Sequence, residues 1–458
     1  MSKILMIKIE RNETEYHDGV YLCQKELENA LSKIKSLTIC YHTLHDLFYN
    51  HELFKNLGKD DTILCNLDPL AYLYFQIREQ VAGNFRIIRS VLTGPWNGYL
   101  LQESLCNPLT RNNDIILHIS NFTKISFNSW FSTYLTNGQH VVCYPALLGY
   151  PKVINKKNMP NRKYLVGYIG RLSKDKGFDV VLECFKLISK KIKNAKFVIA
   201  GQPNTCDYNG LNFSDYLKKE LNGLNVNYLG ILNLDEVFQT LCDCQWILFP
   251  STSNVESLGR ILLEAQACET NILATNHAAA HEILPHHSLI KPNYKKNFQA
   301  YTDAIYPLGE PNACDFVERI LNEDFFHSEI GLQSRKSDFN LLLKILNNID
   351  YQSDVVKEEG KPQTYQIEFD GLPEFEHEEA CFLSQKAFNY LHLLYQKSNS
   401  ANVVLSRLKD RTMNYTRTEY FIKNYTKDGL DLNDIGGAAM EICHLLNFKP
   451  KAKLISYY

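Results

Sequence analysis

A chain of 458 residues with 45% hydrophobic content is long enough to bury two domain cores and carry a further element. Its net charge of −2 supplies no global field for nucleic acid, and its apolar runs fall well short of a membrane span. The 13 cysteines form no paired framework and residues 1–13 carry no signal-peptide pattern, so a reducing cytoplasm is the expected setting.

Strand-like runs at 4–9, 62–65, 85–91, 114–120 and 140–144 alternate with helical and loop segments, which predicts a first parallel α/β domain over 1–150. In its first loop, EYHDG, only Gly19 precedes a helix over 20–34. The run FRIIRSV at 85–91 leads into Thr93-Gly94-Pro95-Trp96. Residues 149–163, polar with two prolines, read as a linker. A second α/β domain is expected over 164–350.

The second domain opens with YLVGYIGRLSKDKGF at 164–178. A buried strand over 164–169 runs straight into Gly170 and Arg171. Lys174, Lys176 and Gly177 follow, and an amphipathic helix begins with Phe178, Val181, Leu182 and Phe185. A glycine permits close backbone approach, Arg171 can fork onto two phosphate oxygens, and Lys176 adds a point charge. That combination suits a diphosphate; the plainer reading is a solvated βα loop.

Residues 246–268, WILFPSTSNVESLGRILLEAQAC, place Glu256 and Glu264 across a loop-to-helix junction with seven residues between them. Residues 246–249 read as a buried strand, 251–257 as polar loop and 258–268 as a helix with Glu264 two turns in. Ser257, Leu258 and Gly259 lie between the acids, with backbone N–H groups able to face an anion. Two solvated helix charges are the competing reading.

Taken together, the Gly170-Arg171…Lys176-Gly177 turn and the Glu256-x7-Glu264 element resemble the family-4 retaining glycosyltransferases, the glycogen-synthase-like branch of the GT-B enzymes. The specific part of the resemblance covers about 164–284, with a weaker echo at 114–124. It implies two facing Rossmann-like parallel-sheet domains, acceptor side first and nucleotide-sugar side second. It assigns the donor diphosphate to Gly170, Arg171 and Lys176, the ribose to Glu264 and the transferred sugar to Glu256. Ser257, Leu258 and Gly259 contribute backbone contacts, and Gly19, Thr93 and Gly94 fall on the acceptor side. Such enzymes typically need no metal and no cofactor, since cations and a helix N-terminus neutralise the leaving diphosphate. The implied partners are a nucleotide sugar and a carbohydrate or lipid-linked acceptor.

The chain departs from that family in places. No histidine follows the 85–91 strand, the first loop is poor in glycine, and HAAAHE (277–282) stands where paired glycines precede a glutamate. His277 and His281 sit at the i, i+4 spacing of a zinc pair, but their place after a strand favours loop residues near the sugar. A basic run, Lys186, Lys190, Lys191, Lys193 and Lys196, reads as a solvated helix face; peripheral contact with anionic lipid is the sharper alternative. Residues 364–458 carry no motif and are expected as a mainly helical extension: a charged connection at 353–363, a strand from Thr364, an acidic run at 374–379 and a helix over 380–395. Two competing functions remain, a catalytically silent GT-B subunit that recruits an active partner and an α/β enzyme using another phosphorylated ligand.

Overall fold

Short apolar runs, most of them buried along their whole length, assemble into two parallel sheets. The computed structural model describes residues 3–8, 19–32, 34–43, 46–47, 50–65, 71–92, 106, 109–131, 138–145, 161–203, 212–294, 298–299, 305–322, 340–348, 351, 364–368 and 451–455. The first sheet comprises β1 (Lys3–Ile7), β2 (Thr38–His42), β3 (Thr62–Cys65), β4 (Arg86–Val91), β5 (Ile115–His118) and β6 (Gln139–Val142), in the order β2-β1-β3-β4-β5-β6. Every residue of β3, β4 and β5 is buried, as expected of strands covered on both faces. Helices α1 (Gly19–Leu31), α2 (Ala71–Gln80) and α3 (Asn121–Phe131) belong to this half. Its buried charges are matched: Arg78 holds Asp114 through two bonds of 2.7 and 2.8 Å, and Asp114 also accepts the N–H groups of Ile87 and Arg111.

The second sheet contains β7 (Tyr164–Ile169), β8 (Phe197–Ala200), β9 (Val226–Tyr228), β10 (Cys244–Phe249), β11 (Asn271–Thr275) and β12 (Leu289–Ile290), ordered β12-β11-β10-β7-β8-β9. This is the doubly wound Rossmann order. Chain direction across the sheet reverses between β7 and β10, which pair directly through Val166–Trp246 and Gly167–Ile247. Loops leaving the carboxyl ends of those two strands therefore diverge and open a crevice, the usual ligand position in such sheets. The helices are α4 (Phe178–Lys191), α5 (Phe213–Glu220), α6 (Leu234–Asp243), α7 (Arg260–Ala267) and α8 (Ala313–Asn322). In α4 the predicted face is buried, with Phe178, Val181, Leu182, Phe185 and Ile188 packed on Phe197 and Trp246. A capping box between Asn233 and Glu236 starts α6.

The two halves are joined by one apolar cluster. Val91, Ile116, Ile119, Phe122 and Phe127 of the first half share it with Leu258, Leu262, Ala278 and Leu284 of the second. A helix at 340–347, counted with the second domain from sequence, instead covers the first sheet. Leu342, Ile345 and Leu346 pack with Ile4, Met6, Leu64 and Ile88, and Arg86 donates to the carbonyls of Ile345 and Asn348 at 2.8 Å.

Several expectations shift. Strand β2, an edge strand unread in the sequence, extends the first sheet. Gly19 opens α1, whereas Thr93 and Gly94 fall outside the described residues, as do most of the 149–163 linker and all of 353–363, 374–379 and 380–395. The described part of the extension is strand: Thr364–Glu368 pairs antiparallel with Lys451–Ile455, which also pairs with Phe298–Gln299. Among the described residues no helix is long and apolar enough to cross a membrane.

Candidate functional site at the strand switch point

The crevice is built by two loops that lock onto each other. After β7 the chain turns at Gly170, runs through Arg171 to Ser173, makes one 3-10 turn over Lys174–Lys176 and enters α4 at Gly177. Gly177 has φ +70°, and a Cβ there would lie 2.4 Å from the Pro250 carbonyl oxygen at the end of β10. Only glycine meets both demands. The Thr252 N–H then donates to the Asp175 carbonyl at 3.1 Å, so the second loop starts where the first ends.

The 250–259 loop is held on its other side by residues 306–309. Leu308 N–H donates to the Thr252 carbonyl at 2.8 Å, Thr252 Oγ1 to the Gly309 carbonyl at 2.8 Å, and Asn254 N–H to the Tyr306 carbonyl at 3.1 Å. A loop tied at both edges can hold a charged side chain in a fixed place. That side chain is Glu256, which is 8% exposed. One of its carboxylate oxygens accepts from Lys176 Nζ at 2.6 Å and from Ser251 Oγ at 2.9 Å. Burial alone would push this carboxyl up. The Lys176 ammonium, the hydrogen bonds from Lys176 and Ser251, and nearby His277 outweigh it, and the net direction is downward.

The remaining sequence-predicted residues gather around this pair. Arg171 donates to Asp175 at 2.7 Å, and Asp175 also receives Ser173 Oγ at 2.5 Å. Glu264 accepts from Arg260 Nε at 2.6 Å. Between the acids, the N–H groups of Ser257, Leu258 and Gly259 have no hydrogen-bond partner among the described residues. Helix α7 begins at Arg260 rather than at Leu258, because Gly259 adopts φ +78° and caps it from the left-handed region; Glu264 therefore lies little more than one turn in. A Cβ on Gly259 would sit 2.9 Å from the Phe249 ring, so this turn too depends on glycine. Two cations and three backbone donors form a set able to bind an anion, while each of the two carboxylates is held by a basic side chain.

Sequence reading missed several members. Ser251 and Asp175 hydrogen-bond to charges that were predicted. Arg260 occupies Glu264 and also donates to Cys23 Sγ on α1 at 3.4 Å, a contact across the two halves. Glu282 was noted only as a departure. Its carboxylate accepts the N–H groups of Asn121 and Phe122 at 2.9 and 2.6 Å and the hydroxyl of Tyr144, which caps α3 of the other half. Ser257 spans the same junction, donating to the Leu92 carbonyl at 2.9 Å while its own carbonyl accepts from Ser120 at 3.0 Å. Ser251, Asp175 and Arg260 lie within five residues of the charges they bind, whereas no local signal announces the contacts of Glu282, of Ser257 or of Arg260 with Cys23, which each span more than 100 residues. His277 is 2% exposed and bonded to protein through both ring nitrogens, at Ser253 and Tyr294. Among the described residues no three His, Cys, Asp or Glu side chains group to hold a metal ion.

Known proteins share parts of this chain. It is 27% identical over 177 residues to the capsular polysaccharide biosynthesis glycosyltransferase CapM of Staphylococcus aureus, covering 38% of this chain and 41% of that one. It is 28% identical over 136 residues to the phosphatidylinositol N-acetylglucosaminyltransferase GPI3 subunit of Saccharomyces cerevisiae, covering 30% and 28%. The chain thus spans less than half the length of the curated relatives it matches. Among solved structures, HepE of Anabaena in complex with UDP and glucose aligns with a TM-score of 0.49 and 13% identity, over 76% of this chain and 97% of that one. TarM of S. aureus, in a complex that contains UDP, aligns at 0.46 and 17% over 67% and 59%. Residues 150–310, which carry both loops at the strand switch point, match the family described as Glycosyl transferases group 1.

Proposed function

We propose that the protein transfers a sugar from a nucleotide-sugar donor to an acceptor with retention of anomeric configuration and without a metal ion. The observation that supports this most directly is the Lys176–Glu256 pair at the strand switch point, beside three N–H groups with no hydrogen-bond partner among the described residues. In this reading the donor diphosphate enters between Arg171, Lys176 and the Ser257–Gly259 backbone. A diphosphate draws Lys176 away from Glu256, and the freed carboxylate then accepts from a hydroxyl of the transferred sugar. Glu264 holds the ribose hydroxyls once Arg260 yields it, and Gly170 lets the backbone approach the phosphates.

As the glycosidic bond to the diphosphate breaks, negative charge grows on the leaving oxygens. In this reading Arg171, Lys176 and the N–H groups turn to those oxygens and supply electrostatic stabilisation. They take the part a divalent cation plays in other transferases. Glu256 positions the sugar and balances charge at the reacting carbon. The proposed acceptor is a glycan or a lipid-linked sugar, classes that agree with the names of the curated relatives.

Purified full-length protein screened against UDP-, GDP- and ADP-sugars tests the reading, with EDTA present and Lys176→Ala alongside. Nucleotide release from one donor, abolished by the substitution and indifferent to EDTA, is the expected result. Absence of binding and turnover with every donor would overturn it.

A further inference from the structure

The carbonyl of Ser253 does two things at once. It accepts the N–H of Glu256 at 3.1 Å, closing the turn that delivers that glutamate, and it lies 2.9 Å from Nε2 of His277. A carbonyl only accepts, so the imidazole carries a proton on Nε2 and donates it. The ring's other nitrogen, Nδ1, is 3.1 Å from the hydroxyl of Tyr294, whose oxygen also lies 2.7 Å from the Asn276 carbonyl. His277 is 2% exposed, and its ring feels the charges of both Glu256 and Lys176. Burial lowers its pKa to about 4, so the ring is neutral near pH 7, with its one proton on Nε2 facing the Ser253 carbonyl, while the Tyr294 hydroxyl donates to the Asn276 carbonyl.

We propose that His277 is a positioning residue for Glu256: its Nε2–H grips the Ser253 carbonyl and fixes the backbone from which the Glu256 carboxylate reaches the transferred sugar. The proposal rests on the reading that Glu256 faces the donor sugar. Three features distinguish His277 from a buried histidine that merely packs. It bonds to the one carbonyl that also receives the Glu256 N–H. It approaches from just beyond β11, a strand paired on both sides, whereas the other ties on this loop come from residues 306–309, from Asp175 and Lys176, and from Leu92 and Ser120 of the other half. Its geometry uses one nitrogen in one direction, which a general polar contact would not require. A neutral imidazole is also the form that leaves the charge balance between Lys176 and Glu256 undisturbed.

The test exploits side-chain reach. A glutamine amide nitrogen falls where Nε2 of histidine lies, and an asparagine nitrogen falls where Nδ1 lies. His277→Gln, His277→Asn and His277→Ala are made in the full chain, and kcat with the donor that turns over is measured beside the Kd for UDP, GDP or ADP, whichever the wild type binds. His277→Ala and His277→Asn should lose about 10- to 100-fold in kcat, with nucleotide affinity within about threefold of wild type. His277→Gln should recover to within about threefold. Wild-type kcat in His277→Ala, equal losses of kcat and nucleotide affinity in all three, or a glutamine no better than asparagine would each overturn it. Crystal structures of His277→Ala and His277→Gln give a readout independent of activity. The proposal expects the 2.6 Å Lys176–Glu256 contact to be lost in the first and kept in the second, and an intact contact in His277→Ala refutes it. If the wild type binds and turns over no nucleotide sugar, the transfer reading fails on its own, and the two structures still decide whether His277 holds Glu256 in place.

Discussion

Removing the Lys176 ammonium leaves a buried carboxylate with a single remaining side-chain donor, and the consequence can be worked from the geometry. At 2.6 Å the Coulomb attraction is about 6 kcal/mol for an effective dielectric near 20. Lys176 keeps 22% of its side-chain surface in water, so solvent recovers part of that when the pair is broken. Breaking a mostly buried pair by deleting one partner costs about 3–5 kcal/mol, and the lower end applies here. Lys176→Ala should therefore destabilise the protein by about 3 kcal/mol at pH 7. The loss depends on pH with a definite sign. In the wild type the folded-state pKa of Glu256 is lowered, so its contribution is present above the unfolded value of about 4.3 and lost as pH falls through the folded value. Without Lys176, burial is the largest influence and raises the carboxyl, so the variant regains stability as it takes up a proton. Urea unfolding of both proteins at pH 7 and pH 4, followed by far-UV circular dichroism, should show the gap narrowing to less than about 1 kcal/mol at the lower pH. Glu256→Gln in the Lys176→Ala background should recover most of the loss at pH 7. A gap that is the same at both pH values, or no recovery by glutamine, would refute the buried-pair account.

Other features carry equally definite expectations. Gly177→Ala places a Cβ 2.4 Å from a backbone oxygen at φ +70° and should cost about 2–4 kcal/mol, read as a lowered thermal midpoint. Glu282→Ala removes the cap of α3 across the two halves and should cost about 1–2 kcal/mol; thermal unfolding checks the loss, and an unchanged midpoint would contradict the contact. His140 and His277 both have folded-state pKa values lowered by burial to about 4, so each favours the folded state above about pH 6.5 and loses that contribution as pH falls toward 4. Each accounts for up to about 3 kcal/mol. Stability measured from pH 7 to pH 4 should drop steeply, and His277→Gln should flatten the curve. Ala278 sits at φ +50°, so Ala278→Gly should raise the thermal midpoint slightly, by about 0.5–1 kcal/mol of stability.

The parts legible in the sequence share a physical cause: they are local. Parallel strands covered on both faces are continuous apolar runs, so β3, β4, β7 and β10 stood out to within two residues at either end. Periodic spacing exposed the buried face of α4, and the glycines flanking each loop betrayed tight turns. Edge strand β2, with Thr38 exposed and Ile39 and Cys40 only half-buried, lacks that contrast and went unread. The start of α7 was misplaced because Gly259 bends the chain from a left-handed conformation, which spacing does not encode. The 340–347 helix was assigned to the wrong half because its apolar face suits either core, and only packing selects one.

By itself the sequence indicated the two parallel α/β sheets and the order of the two loops at the strand switch point, and singled out Arg171, Lys176, Glu256 and Glu264 as candidate charged residues there, because each is written in a short motif. Tertiary structure alone decided how those charges are used. Lys176 meets Glu256, 80 residues further along the chain, while His277 and Glu282 bind backbone on neighbouring loops and on the other half. Such pairings follow from which strand ends lie side by side. That adjacency comes from sheet order, set when the whole apolar core packs, and no window of local sequence contains it.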